Sequence, residues 1–306
     1  MRVKLLPHDL MLTSIKYIFL IAAGFASTQD TLMAARDDAE PVLWHLERDG
    51  AKVYILGFSE AKDLSWLTAT VKHAFQESRE IWFETPHDDP SAPPPSKAPA
   101  RSRPPDVTEH NLFEVLSPAL SARILSAAQK YGVSRERLKH ASPWQAYFIL
   151  NGGYFAHQGA GMADVESFPD VVLARMARDE KKTIHSEFAT DEDAQAHFVN
   201  MPLEEASERL EFLLDFLDDD QAGRLSDRYD WISGNTTTRA IDKMRAKWPA
   251  LYKDEQVDRN GAWAKRIAQF LFDGGTYFVI IGLQHTLGPD SLPNKLRALG
   301  LQPQKL

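Results

Sequence analysis

Two stretches decide how this chain folds: residues 53–60, VYILGFSE, and residues 277–285, YFVIIGLQH. Each is a run of β-branched, aromatic and aliphatic residues that stops at a glycine, Gly57 in the first and Gly282 in the second. Three positions beyond each glycine stands a side chain able to bind a metal or move a proton, Glu60 or His285. An α/β protein places its chemistry in this way, at the carboxyl edge of its sheet.

Working outward from the first stretch, VLWHLERDGAKVYILG carries Asp49-Gly50 between two strand-like runs, which predicts a tight β-hairpin. From Asp63 the period changes, and Leu64, Leu67, Val71 and Phe75 fall at helical spacing. Ile81-Trp82-Phe83 then reads as a short strand ending at Glu84. Strand, helix and strand in that order imply a crossover unit and a parallel pair. Further on, Ser117-Pro118 and Ser142-Pro143 each predict a helix start, with Gly132 and Gly152-Gly153 as the respective stops. FPDVVLARMARDEKK reads as a helix with Val172, Leu173 and Met176 on one face, followed by a strand, Thr183-Ile184-His185, and then Glu187. Leu203, Ala206, Leu210, Leu213 and Leu217 mark another helix, whose leucine row is too short for a coiled-coil seam. RNGAWAKRIAQFLFDGG gives one more before the last strand, and a final helix spans residues 289–299. The expected fold is α/β, with a mixed, largely parallel sheet, an N-terminal β-hairpin and many flanking helices.

Composition bounds the rest. The chain has 306 residues, 43% of them hydrophobic, enough for one large core or two modest ones. The net charge is -8 and the basic residues are dispersed, which leaves no stripe to hold a phosphate backbone and argues against a nucleic-acid partner. Cysteine is absent, so disulfides, thiolate zinc sites, a cysteine nucleophile and a lipoprotein-type anchor are excluded.

The N-terminus reads as an export signal over residues 1–26. Arg2, Lys4 and Lys16 precede or flank an apolar run, YIFLIAAGFA, with small residues Gly24 and Ala26 before a polar stretch. Ten apolar residues are too few to span a bilayer, which needs about 20. Residues 27–40 form a flexible lead-in, and 41–306 a single domain interrupted by DPSAPPPSKAPARSRPP at 89–105, which is too rich in proline and too poor in apolar groups to pack. The expected location is exported, periplasmic or secreted, with no stable membrane span in the mature chain.

Glu60, Glu84, Glu187 and His285 each follow an inferred strand. In a mainly parallel sheet those ends lie on one side, so these residues can converge there. Carboxylates with one imidazole suit a divalent ion (manganese, zinc, cobalt or magnesium), with Glu60, Glu84 and His285 as the expected ligands. Such an ion would lower the pKa of a bound water, and an unligated carboxylate would shuttle the proton. Against this stands the ordinary expectation that a single strand-end Glu is a solvated loop residue and that a buried His is structural. GxxxxGK(S/T) and GxSxG motifs are both absent.

PVLWHLERDGAKVYILGF, REIWFE, ASPWQAY, HSE, DRNGAWAKRI and FVIIGLQHTLGPDSLPNKLRALG together resemble the TraB/PrgY/GumN family over most of the chain from Pro41 onward. The most specific part is the C-terminal GxxH followed by GPDSLPNKLRALG. The resemblance implies a fold similar to the erythromycin-esterase and ChaN-like proteins. It also implies two GxxH motifs and a strand-end glutamate, a set proposed for metal-dependent proteolysis in the family's animal members. Carried across, the second GxxH runs from Gly282 to His285, the glutamate is Glu84, Glu187 matches a further acidic position, and Arg259 and Asn260 match a polar pair suited to hold a carboxylate. The first motif departs from the pattern: this chain has Gly57-Phe58-Ser59-Glu60.

Three functions follow as expectations. The first is an exported metal-dependent hydrolase acting on peptide or protein, with Glu60, Glu84, Glu187 and His285 as catalytic groups and Arg259 and Asn260 binding substrate. The second is a catalytically degenerate binding protein on the same fold, motivated by Glu60 in place of His. The third is haem or small-ligand binding, by analogy with the ChaN-like fold.

Overall fold

The computed structural model describes residues 40–61, 63–85, 87, 111–157, 168–188, 191–221 and 230–306. The expected signal, the lead-in apart from Glu40, and the proline-rich insertion lie outside the described residues. Strands β1 (Leu43–Arg48) and β2 (Ala51–Phe58) pair antiparallel through a turn in which Asp49 and Gly50 take φ of 52° and 84°. Two positive φ values in succession give the primed turn whose twist matches the strands it joins. Helix α1 (Ala69–Glu77) and strand β3 (Glu80–Phe83) complete the first crossover.

Helices α2 (Leu112–Val115), α3 (Pro118–Lys130), α4 (Arg135–Lys139), α5 (Pro143–His157) and α6 (Pro169–Asp179) lead to strand β4 (Thr183–Ser186). Then come α7 (Asp191–Val199), α8 (Leu203–Gln221), a 3-10 turn (Asp230–Ser233), α9 (Arg239–Lys247) and α10 (Pro249–Tyr252). A π-helical stretch (Lys253–Asp258) runs directly into α11 (Arg259–Asp273). Strand β5 (Thr276–Gly282), a 3-10 turn (Leu283–Thr286), α12 (Leu292–Ala298) and a short strand β6 (Gln304–Lys305) end the chain.

The six strands lie in the order β4-β3-β5-β2-β1-β6. β2, β5, β3 and β4 are parallel, while β1 runs antiparallel to both β2 and β6. The mixed, largely parallel sheet with its N-terminal hairpin is therefore the architecture the sequence predicts. The edge strand β6 is an addition, too short to show a period.

Alternation along the strands loads both faces. Tyr54, Leu56, Phe58, Ile81, Phe83, Phe278 and Ile280 pack with Val71 and Phe75 of α1 and Val172 and Leu173 of α6. Val53, Ile55, Val279 and Ile281 pack with Trp263 and Ile267 of α11 and Leu292 and Leu296 of α12. Each such aliphatic or aromatic side chain, fully buried, contributes roughly 1.5–3 kcal/mol. A separate helical core joins α3, α5 and α8 through Leu120, Ile124, Leu150, Leu210 and Leu213. Among the described residues no helix is long and apolar enough to cross a membrane.

Three local expectations need correction. The first helix begins at Ala69 rather than near Asp63, because the Thr68 hydroxyl accepts from the Val71 N–H at 3.3 Å and caps it there, leaving Leu64 54% exposed. α5 does not stop at Gly152-Gly153 but runs through both to His157. Gly153 marks a close approach instead: a Cβ there would stand 2.4 Å from Val133 Cγ2. The last helix starts at Leu292, three residues late, because Gly288 (φ 82°) and the extended Ser291 (ψ 154°) precede it.

Candidate functional site

Parallel pairing aligns the strand ends. Phe58 stands opposite Gly282, and Phe83 opposite both Ile280 and Ser186, so Glu60, Glu84, Glu187 and His285 all leave the sheet at its carboxyl edge. Gly282 turns the chain into the 3-10 turn that carries His285. A Cβ on Gly282 would approach Glu84 Oε2 at 3.3 Å, and its N–H donates to that same oxygen at 2.7 Å. The glycine thus lets the β3 glutamate lie against the β5 backbone.

His285 is fully buried between two oxygens. Its Nδ1 lies 2.8 Å from Asn260 Oδ1 and its Nε2 3.2 Å from Glu84 Oε1. Asn260 Nδ2 donates to the Asp290 carbonyl at 2.9 Å, which fixes the amide so that its oxygen faces the ring. Both ring nitrogens therefore meet acceptors, an arrangement that the imidazolium form satisfies.

Arg259, at the first position of α11, ties the acids together. Its Nη2 donates to Glu84 Oε1 at 2.8 Å and Glu187 Oε2 at 2.6 Å, its Nε to Glu187 Oε1 at 3.2 Å, and its Nη1 to Glu255 Oε2 at 2.7 Å. Glu187 also accepts from Trp263 Nε1 at 3.2 Å. Glu255 belongs to the π-helical stretch, one turn before Arg259; single π turns inside helices commonly mark functional sites. Burial pushes the Glu84 carboxyl up, but the charges of His285 and Arg259 outweigh it and hold the group below the usual carboxylate range. Burial likewise opposes ionisation of Glu255, and Arg259, Arg209 and His285 overcome it. The carboxylates in turn hold the Arg259 guanidinium well above its ordinary value despite its burial.

The cluster continues outward through α8. Arg209 pairs with Glu255 Oε1 and Asp254 Oδ2, both at 2.6 Å, and with Glu205 Oε1 at 3.1 Å. His197 Nε2 of α7 stands 3.3 Å from the same Asp254 oxygen.

Of the residues the sequence singles out, Glu84, Glu187, Arg259, Asn260 and His285 form one bonded cluster. Glu60 is buried at the same sheet edge, and its backbone carbonyl accepts the Trp231 indole N–H at 2.8 Å. Trp231 packs with Phe58 and Phe83, on the face of the sheet opposite α11. Glu255 and Arg209 are site residues that sequence reading missed. The signal for Glu255 was its i, i+4 spacing to Arg259 in KDEQVDRNGAW, which also reads as an ordinary solvated helix face.

As arranged, this donor set does not fit a divalent ion. Arg259 occupies oxygens of Glu84, Glu187 and Glu255 alike, and both nitrogens of His285 are engaged. Among the described residues no group of three or more His, Asp or Glu side chains is placed to hold a metal.

A largely parallel sheet with a buried carboxylate, arginine and histidine centre at its carboxyl edge defines the class of protein. The chain belongs to the TraB/PrgY/gumN family, whose model matches residues 42–305. Comparison with curated proteins and with solved structures gives no match.

Proposed function

We propose that the chain hydrolyses an amide bond of a peptide or protein, with His285 and Glu187 moving the protons and Arg259 stabilising negative charge. The carrying observation is the fixed orientation of His285, held by Asn260 on one nitrogen and by Glu84 on the other. A group so positioned can donate from Nε2 to the leaving nitrogen once the 3.2 Å contact to Glu84 opens. Glu187 is the most accessible of the acids bonded to Arg259, its side chain 13% exposed against 3% for Glu84 and 6% for Glu255. This greater exposure supports Glu187 as the group that accepts a proton from an attacking water. Arg259, the cation bonded to Glu187, would counter the charge of the oxyanion once a substrate displaces one of its carboxylate contacts. Peptide as substrate and export to the periplasm or medium rest on the family resemblance and on the N-terminal pattern of residues 1–26.

Turnover of a quenched peptide library by the purified chain tests this. His285→Gln and Glu187→Gln should each lower kcat by about 10²- to 10⁴-fold. Activity unchanged in both variants would overturn the reading. Assays with chelator and with manganese, zinc, cobalt or magnesium separate a metal-dependent form, with Glu60, Glu84 and His285 as ligands, from the metal-free one. The metal-dependent form requires Arg259 to release Glu84.

A second reading, a binding protein without catalysis, is favoured by the closure of the site: Glu84, Arg259 and His285 are 3%, 5% and 0% exposed. No turnover by the wild type, together with saturable peptide binding, would establish it.

A further inference from the structure

Strand β4 (Thr183–Ser186) is one edge of the sheet, and among the described residues it pairs with β3 alone. Its bonds to β3 recur at every second residue: the Thr183 N–H donates to the Arg79 carbonyl at 3.2 Å and the Glu187 N–H to the Phe83 carbonyl at 2.8 Å. In a parallel ladder the N–H and C=O of one residue share a side, so those of Ile184 and Ser186 point away from β3. They meet no backbone partner among the described residues. None of the four strand residues is buried.

Proteins guard such edges by extreme brevity, by proline, by an exposed lysine or by a bulge. The opposite edge obeys: β6 is two residues long and ends at exposed Lys305. β4 reads TIHS and pairs with β3 in unbroken register, so it carries neither proline, lysine nor bulge. The lysine just before it, Lys182, is turned inward, its Nζ donating to the Gln76 carbonyl at 3.1 Å and the Ser78 carbonyl at 2.7 Å. The edge is also held in shape, since His185 stacks on Trp82 with ring centroids 4.4 Å apart and its Nε2 lies 3.1 Å from Glu80 Oε2.

We propose that β4 receives an extended peptide segment as a further strand, bonded to the outward N–H and C=O groups of Ile184 and Ser186. Main-chain bonds supply the affinity in this mode, which makes it tolerant of sequence. β4 leads straight into Glu187, whose carboxylate is bonded to Arg259, so a peptide lying along the strand is carried to the charged centre at the carboxyl edge. A strand of this length spans only about 13 Å, at roughly 3.3 Å per residue. That suits a transient segment better than a second copy of the chain, whose stable interface would need roughly 1,200–2,000 Å². The inference deepens the peptide-hydrolysis reading and rests on it for the fate of the bound segment.

Fluorescence anisotropy with a labelled heptapeptide that alternates threonine and valine between terminal lysines tests this. Two further versions carry backbone N-methyl groups, one on the odd residues and one on the even. Alternate N–H groups of a strand face opposite sides, so one version should bind about tenfold more weakly and the other within about twofold of the parent. Ser186→Pro, which removes an outward N–H and sets a ring on the edge, should weaken the parent peptide by a similar factor. Circular dichroism melts report whether that variant folds; where it does not, the N-methyl pair decides alone. Mass spectrometry of the same mixtures reports cleavage. Binding with the alternation but without cleavage upholds the inference and counts against hydrolysis, and cleavage without the alternation does the reverse. No saturable binding, equal weakening by both N-methyl versions, unchanged affinity in folded Ser186→Pro, or wild-type dimers that Ser186→Pro dissociates would overturn the inference.

Discussion

Arg259 Nη2 lies 2.8 Å from Glu84 Oε1, and that one contact sets the character of the site. The same guanidinium reaches Glu187 and Glu255, so a fixed internal cation serves acids that would otherwise call for a bound one. The arrangement is expensive to break from one side. Arg259→Met leaves buried carboxylates without their partner and should lower unfolding free energy by about 3–5 kcal/mol, read from urea denaturation. Arg259→Lys should recover only part of the loss, because an ammonium cannot present the planar fork that spans three acids. A cost below about 1 kcal/mol for Arg259→Met would show that the acids are compensated by other groups.

Acid should unfold the protein through the same cluster. Glu84 and Glu255 have folded pKa values below their unfolded ones. The stability they supply is therefore fully present above the unfolded carboxylate value, about 4.3, and is lost as pH falls below it toward the folded values. Glu205 has the opposite shift, so its contribution improves as pH falls through its raised value and partly masks the loss. Denaturation midpoints measured from pH 7 downward should drop on the acid side, and Glu255→Gln should flatten that drop while lowering stability at neutral pH.

The two glycines inside α5 should respond oppositely to a methyl group. Gly153→Ala forces a Cβ to within 2.4 Å of Val133 Cγ2 and close to the Tyr131 carbonyl, and should cost about 1–3 kcal/mol. Gly152 faces open space in the same helix, so Gly152→Ala should stabilise by about 0.5–1 kcal/mol. Thermal melts of the pair separate the effects of packing from those of helix propensity.

Much of this was legible in the sequence because the sheet is built from runs with a clear period. VYILGF and YFVIIG pack residues on both faces; β5 ends at Gly282 as expected, whereas β2 runs through Gly57 to Phe58, because Gly57 and Phe58 stay paired with Ile281 and Gly282 of β5. Glu84, Glu187 and His285 could be placed because parallel topology alone brings strand ends together. Arg259 and Asn260 came from the resemblance, and the structure supplies their partners. Glu255 and Arg209 were hidden, since a charged residue on a helix reads as solvated until packing turns that face inward. The expected symmetry of Glu60 with His285 holds in position along the sheet edge. It fails in surroundings, because the Glu60 backbone is bound to Trp231 on one side while His285 meets Asn260 on the other. Spacing from a glycine fixes how far along the edge a residue lies, not which layer it joins.

The glycine that begins the first motif has its own testable role in holding His285. A Cβ at Gly57 would stand 2.6 Å from Thr286 Cγ2 and 2.8 Å from its Oγ1, closer than such atoms pack. Thr286 follows His285 in the same 3-10 turn and donates to the Leu283 carbonyl at 2.8 Å. Gly57→Ala should therefore push that turn off β2, lengthen the His285 contacts to Asn260 and Glu84, and cost about 1–3 kcal/mol. Thr286→Ala removes both of the closest atoms and should be mild alone. In combination the two substitutions should be more stable than Gly57→Ala by itself, with a coupling of about 0.5–3 kcal/mol in a double-mutant cycle. Denaturation of the four proteins measures it, and simple additivity would mean that Gly57 serves β2 locally and does not position the histidine turn.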